Sequence, residues 1–303
     1  MARTHDLDRC SANHVSILFA HVDMTRSYDY AEPEEEVPMM IYKPKGRAAE
    51  YGSYAVSLFT GCPHGCHYCY VPGFLRITRE EFQSRCAPRP GISEAITKEA
   101  PKLPQRTTIF LCFSCDPFPY SSWEMFQSPE EYSTDIIRTI KDAGHNVRLL
   151  TKGWVPKSAL DLLDGEDEVG VTLTCQDPHS SELWEPGAAS PDDRCCNLIR
   201  AHDREIRTWV SFEPVLDPAS VYALIQRTER YVDRYAIGKS NHLPDWNWPS
   251  EQWRRRVESI DWPLFALSAA NLCRKLGISC RLKDDLAVCL PRGMEHLRRW
   301  DNK

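Results

Sequence analysis

The 303-residue sequence has no apolar run near the 18 or so residues that a membrane span needs. It has no excess of positive charge either: 37 Lys and Arg stand against 43 Asp and Glu, a net charge of −6, which argues against a surface built to hold polyanions everywhere. Internal repeats and low-complexity tracts are absent, which excludes solenoids and disordered linkers. The opening MARTHDLDRC is polar and carries acids, unlike a signal peptide, and predicts a cytoplasmic protein. What the chain does have is cysteine. Thirteen is an odd count, too sparse for a disulfide scaffold in a chain this long, so metal ligation or redox chemistry is the better reading.

From about Tyr51 short β-rich runs alternate with segments of helical period. Strands are expected at Tyr54–Thr60, Thr107–Ser114, Asn146–Thr151, Val169–Thr174, Arg207–Val215 and Arg234–Gly238. Helices are announced by Ser128-Pro-Glu-Glu and Ser190-Pro-Asp-Asp, each an N-cap followed by proline and acids. Parallel neighbours need crossover connections, so six such units imply a partial (β/α)6 barrel, an α/β fold with functional residues at the carboxyl ends of its strands. Three regions are expected: an irregular N-terminal extension over 1–50, the barrel core over 51–245, and a helical C-terminal region over 246–303 packed on the core. Helices at Trp253–Ile260 and Ala266–Leu276 precede Ile278–Leu282, which reads as a further strand.

Directly after the first strand, SLFTGCPHGCHYCYVPG sets Cys62, Cys66 and Cys69 at Cys-x3-Cys-x2-Cys spacing, within a loop marked by Gly61, Pro63 and Gly65. Three thiolates on one loop suit a compact inorganic centre, and three ligands on a four-iron cluster leave one iron open. The alternatives are a structural zinc site completed by His64 or His67, in a non-catalytic protein, and unligated thiols.

With this loop the chain resembles the radical SAM superfamily, and from about Ser57 to Asn241 it is similar to the spore photoproduct lyase branch. GCPHGCHYCY, FSCDP, LLTKG and the pair VTLT and WEPGAASPDDR carry the resemblance. It implies a [4Fe-4S] cluster on Cys62, Cys66 and Cys69, reductive cleavage of S-adenosylmethionine, and hydrogen abstraction from a substrate. It further implies an external flavodoxin- or ferredoxin-like electron donor, and a nucleotide or nucleic acid substrate, with a peptide or small metabolite as the alternative. Carried over residue by residue, Tyr68 falls beside the adenine, Lys152 near the methionine carboxylate, and Thr172 at a cofactor-contacting hydroxyl. Ser114, Cys115 and Asp116 form the strand end that meets the cofactor, with cysteine where the lyase has serine and Asp116 either on the amino group or capping a loop. Glu213 stands where the lyase has a small residue beside the ribose.

The chain also departs from the lyase, which returns hydrogen to its product radical from a cysteine on the second strand. Phe113 takes that position here. Cys112 and Cys115 flank it, on opposite faces if strand alternation holds, and Tyr70 matches a tyrosine of the radical relay. The expectation is therefore the family's machinery with a different substrate, with Tyr70, Cys112 and Cys115 as catalytic candidates. Lys239 and Asn241, after the sixth strand, are substrate candidates across the barrel mouth. Glu185 and Arg194 read as a structural ion pair or cap. Trp246 and Trp248 read as a cover over apolar surface, or as base-stacking rings. Cys195 and Cys196 read as core and rim thiols, and Cys273, Cys280 and Cys289 as buried thiols rather than a second cluster.

Overall fold

The computed structural model describes residues 39–119, 128–290 and 292–293; most of the expected N-terminal extension and the last ten residues lie outside these. The strands are β1 (Tyr54–Val56), β2 (Thr108–Leu111), β3 (Asn146–Thr151), β4 (Glu168–Thr172), β5 (Arg207–Phe212), β6 (Arg234–Ile237) and β7 (Ser279–Leu282). They form one sheet in sequence order, every neighbouring pair parallel. This is the expected unclosed barrel, lengthened by a strand: the run ahead of Lys283 pairs with β6. Apart from β3, the first six strands end one to four residues earlier than the sequence suggests, because their last residues turn into the loops of the carboxyl edge.

The helical starts follow the expected chemistry. Ser128 caps the helix Pro129–Asp142 in a reciprocal box with Glu131, at 3.2 and 3.0 Å. Ser190 caps Pro191–His202 by accepting from Asp193 N at 3.1 Å.

Alternation along the strands separates two faces. Val147, Leu149, Val169, Val171, Val210, Phe212, Tyr235 and Ile237 point outward into the cores beneath the helices. The inward residues fill the barrel in layers. At the floor, Glu168 accepts from Arg148 at 2.6 and 2.7 Å and pairs with Arg234, while Arg281 binds Glu50 at 3.0 Å. Above lie Ala55, Phe110, Trp209 and Ala236 with Tyr51, and Phe113 stacks on Phe110 at 4.2 Å. The barrel is packed to that height, so only its carboxyl end offers room for chemistry.

The two free edges, β1 and β7, are bridged by residues 39–51. Met40 N and Ile41 N donate to Glu99 at 3.0 and 2.8 Å, Tyr42 pairs with Ala55 beside β1, and Glu50 reaches Arg281 on β7. Ile41 and Tyr51 are buried, so residues 39–50, which fall within the expected extension, pack on the barrel. Among the described residues no helix is long and apolar enough to cross a membrane.

Candidate functional site

The cysteine loop leaves β1 and turns back over the sheet. Cys62, Cys66 and Cys69 border one shallow hollow, together with His64, Arg79 and Phe82. Every cysteine among the described residues is a free thiol. Burial pushes the Cys62 and Cys69 thiols up from their usual range, Cys62 strongly, and pushes Cys66 up to about 12 against the pull of Lys152. Burial thus favours the neutral thiols, and a nearby positive charge favours their ionised form.

Neither loop histidine completes a zinc set. His64 is buried, neutral with its pKa lowered by burial to about 4, and lies 3.5 Å from Asp116. His67 places Nδ1 2.6 Å from the Asn247 carbonyl. Among the described residues no three His, Cys, Asp or Glu side chains come close enough to hold a single metal ion.

Two sets of contacts brace the loop. The WEPGAASPDDR stretch lies against it through His67 N on Trp184 O and Gly187 N on His64 O, both 2.9 Å. A Cβ on Gly187 would fall 2.5 Å from Pro63 O, so the two segments touch backbone to backbone. Gly187→Ala is expected to lift the loop and make Cys66, now 7% exposed, react with iodoacetamide about tenfold faster. An unchanged labelling rate would show that the brace does not hold the loop.

The second brace is electrostatic. Glu185 and Arg194, both fully enclosed, pair at 2.6 Å. Glu185 also accepts from the Tyr68 hydroxyl, and Arg194 donates to the carbonyls of Ala189 and Thr172 at 2.8 and 2.9 Å. Burial raises the Glu185 pKa, but Arg194, Lys152 and the Tyr68 hydrogen bond outweigh it and hold the carboxyl below its usual 4.5. Tyr68 is thereby fixed between the second and third cysteines. The Lys152 ammonium lies 5.7 Å from its ring centre. Burial lowers the Lys152 pKa, yet Cys66, Glu185 and Asp116 raise it overall, so the ammonium stays charged. Thr172 shares the inward face of β4 and registers with Ser211 on β5.

Several candidate residues take other positions. Asp116 directs its carboxylate to its own chain, accepting from Phe118 N and Lys152 N at 2.9 and 2.8 Å and from the Thr151 hydroxyl; this is the loop-capping alternative. Ser114 accepts from Arg89 at 3.3 Å. Cys112 and Cys115 do not alternate. β2 stops at Leu111, Cys112 turns to a φ of 67°, and both thiols, in hydrogen-bond contact with each other, join the core on the outer face. Tyr70 is half exposed and stacks on His242 at 6.0 Å. The Lys239 ammonium sits over Trp262 at 5.2 Å, against an outer helix rather than across the mouth. Asn241 donates to Lys239 O and to Asp285 at 2.5 and 2.6 Å.

Glu213 is held on the wall opposite the cysteines. Lys283 donates to it at 2.6 Å, Tyr51 at 2.8 Å and Arg47 at 3.1 Å, and Arg47 continues to Asp285 at 2.6 Å. Lys283, Tyr51 and Arg47 escaped sequence reasoning. Each comes from a chain end and carries no motif, and only the parity of Lys283 with Arg281 along β7 marks it as inward.

An unclosed parallel barrel with a cysteine loop after β1, and lysine, threonine and glutamate at its strand ends, defines an α/β-barrel enzyme. The chain belongs to the radical SAM superfamily, whose family model matches residues 56–220, over half of its length. A spore photoproduct lyase variant superposes with a TM-score of 0.58 at 13% identity, over 80% of this chain and 78% of that one. Another, with bound AdoMet and dinucleoside spore photoproduct, gives 0.58 at 14% identity over 82% and 79%. Streptococcus suis SuiB bound to precursor peptide SuiA gives 0.53 at 9% identity, over 76% of this chain and 48% of that one. No curated protein sequence matches.

Proposed function

We propose that Cys62, Cys66 and Cys69 hold a [4Fe-4S] cluster by three corners, and that the enzyme uses it to cleave S-adenosylmethionine and abstract hydrogen from a nucleotide or nucleic acid. The observation that carries this reading is the convergence of three free thiols on one hollow, while both loop histidines serve other partners. When bound, the cluster and the sulfonium together supply a 5′-deoxyadenosyl radical.

The chain's own residues bind and orient. Ionising three buried thiols releases protons, so cluster loading favours alkaline over acidic pH. Lys152 is a buried, charged donor suited to the methionine carboxylate. The Glu185 carboxylate fixes the Tyr68 ring as one wall for the adenine. Thr172 is a hydroxyl partner for the cofactor, and Glu213, already immobilised by Lys283 and Tyr51, retains lone pairs for ribose hydroxyls. Tyr70, 49% exposed, and Phe74, 76% exposed, follow the third cysteine as rings on which bases can stack.

The test is metal analysis of oxygen-free protein with an assay for 5′-deoxyadenosine. About four irons per chain and reductant-dependent 5′-deoxyadenosine support the reading, and zinc that persists after iron–sulfur reconstitution overturns it. Lys152→Met is expected to weaken S-adenosylmethionine binding roughly 10- to 100-fold with the iron retained, the loss of one charged hydrogen bond. Loss of iron instead would place Lys152 in the loop's scaffolding. For the substrate class, oligonucleotide binding that weakens steeply with salt is expected. None at low ionic strength would transfer the assignment to a peptide or small metabolite.

A further inference from the structure

Cys112-Phe-Ser-Cys115 is a Cys-x-x-Cys sequence that neither the cluster loop nor the cofactor wall uses. β2 ends at Leu111, Cys112 turns the chain with a φ of 67°, and the two thiols touch on the outer face of the sheet. Both ends of this turn are tied to the chain leaving β1. Cys112 N donates to Val56 O at 2.8 Å, and Phe59 N donates to the Cys115 sulfur at 3.4 Å. The two sulfurs differ in access: Cys112 is 6% exposed, whereas Cys115 is half-buried. A third thiol near Cys115, Cys86, is enclosed and donates to Gly61 O at 3.0 Å. Arg89 Nη2 donates to the Ser114 hydroxyl at 3.3 Å, which sets a cation at the rim of the turn.

We propose that Cys112 and Cys115 form a thiol–disulfide exchange site for small disulfides of the glutathione class, with Cys115 as the attacking sulfur and Cys112 as the resolving one. A disulfide asks for about 2.05 Å between its sulfurs, and two thiols already in contact reach it by side-chain rotation while the anchored backbone stays in place. Only two residues intervene, so closing the loop costs little chain entropy. Cys-x-x-Cys beside a βα unit is also the spacing of redox dithiols. Burial, reinforced by Cys115, pushes the Cys112 thiol well above its usual range, so it is not the first to attack. Arg89 suits the carboxylates that a glutathione-like disulfide carries. In the first step the Cys115 thiolate attacks one sulfur of the small disulfide, whose S–S bond breaks and releases one thiolate. In the second, the Cys112 thiol loses its proton, attacks the Cys115 sulfur and expels the other thiolate. The protein dithiol is oxidised by two electrons, the small disulfide is reduced to two thiols, and the two cysteine protons end on them. The exchange needs no iron, so it stands independently of the cluster reading.

The test is peptide mass mapping of the full-length, iron-reconstituted protein, equilibrated without oxygen in glutathione buffers and quenched with N-ethylmaleimide. Trypsin releases residues 107–138 as one peptide, whose two cysteines are Cys112 and Cys115. In oxidising buffer this peptide is expected to lose two hydrogens and take up no maleimide. It should do so at an about tenfold lower share of glutathione disulfide than glutathionylates the exposed Cys196, because its second step is intramolecular. Excess reduced glutathione should restore two alkylated thiols. Cys112→Ser is expected to stop at a mixed disulfide with glutathione on Cys115, and Cys115→Ser to leave the enclosed Cys112 a thiol. A wild-type peptide that keeps both thiols free until Cys196 is modified overturns the site, and this reading requires no substitution. Glutathione on Cys112 in Cys115→Ser, or a bond from Cys115 to Cys86, overturns it as well.

Discussion

Cys66→Ala protein, reconstituted with iron and sulfide without oxygen, is expected to produce no reductant-dependent 5′-deoxyadenosine and to hold far fewer than the roughly four irons of a cubane. Cys66 is the most enclosed of the three thiols around the hollow, and the Arg79 bond to its carbonyl uses the backbone, which alanine keeps. The loop's other ties, His67 N on Trp184 O and Gly187 N on His64 O, are also main-chain bonds. The variant therefore folds and loses a ligand, and two remaining thiolates cannot fix a cluster and leave a defined open corner. Alanine at Cys196, an exposed thiol on the helix Pro191–His202, serves as control and should leave iron and product at wild-type values. Undiminished 5′-deoxyadenosine from Cys66→Ala would refute the ligand assignment.

That the loop could be identified before any coordinates follows from its locality: eight residues carry all three thiols, and turn residues beside them mark the loop. The strands were legible for a similar reason, since each is a β-rich run bounded by breakers. The end of β2 was not. Alternation predicts opposite faces for Cys112 and Cys115 only while the chain stays extended, and it leaves the strand at Cys112 with a φ of 67°. Their thiols then meet in the outer core, and the mouth is lined by other groups. The far wall was harder still. Glu213 stood out because it follows a strand, but its partners Tyr51 and Lys283 are separated from it by 162 and 70 residues. A pairing set by barrel closure leaves no local trace. Lys239 misled in the opposite way: one residue further along from Gly238, it points outward onto Trp262.

Arg194→Ala is expected to destabilise the fold by about 3–5 kcal/mol, because it leaves Glu185 enclosed without its counter-charge. In a chain of this size that corresponds to a fall in Tm on the order of 10 °C. The pH dependence should reverse sign as well. In the wild type the Glu185 pKa lies below 4.5, so the carboxylate's contribution is present above that pH and is lost as pH falls through the folded value. Without Arg194, burial dominates and pushes the carboxyl upward, so the folded variant takes up a proton more readily than the unfolded chain. Its stability should then rise as pH is lowered from about 7 toward about 5, where the wild type stays nearly level at this site. The double variant Arg194→Met, Glu185→Gln removes both charges and should recover much of the loss, as replaced buried ion pairs commonly do. It would still give a looser Tyr68, since the introduced carboxamide accepts more weakly than a carboxylate, and S-adenosylmethionine binding should remain impaired after stability is restored. A double variant as unstable as Arg194→Ala would mean that the guanidinium's bonds to Ala189 O and Thr172 O, not its charge, hold this wall of the site.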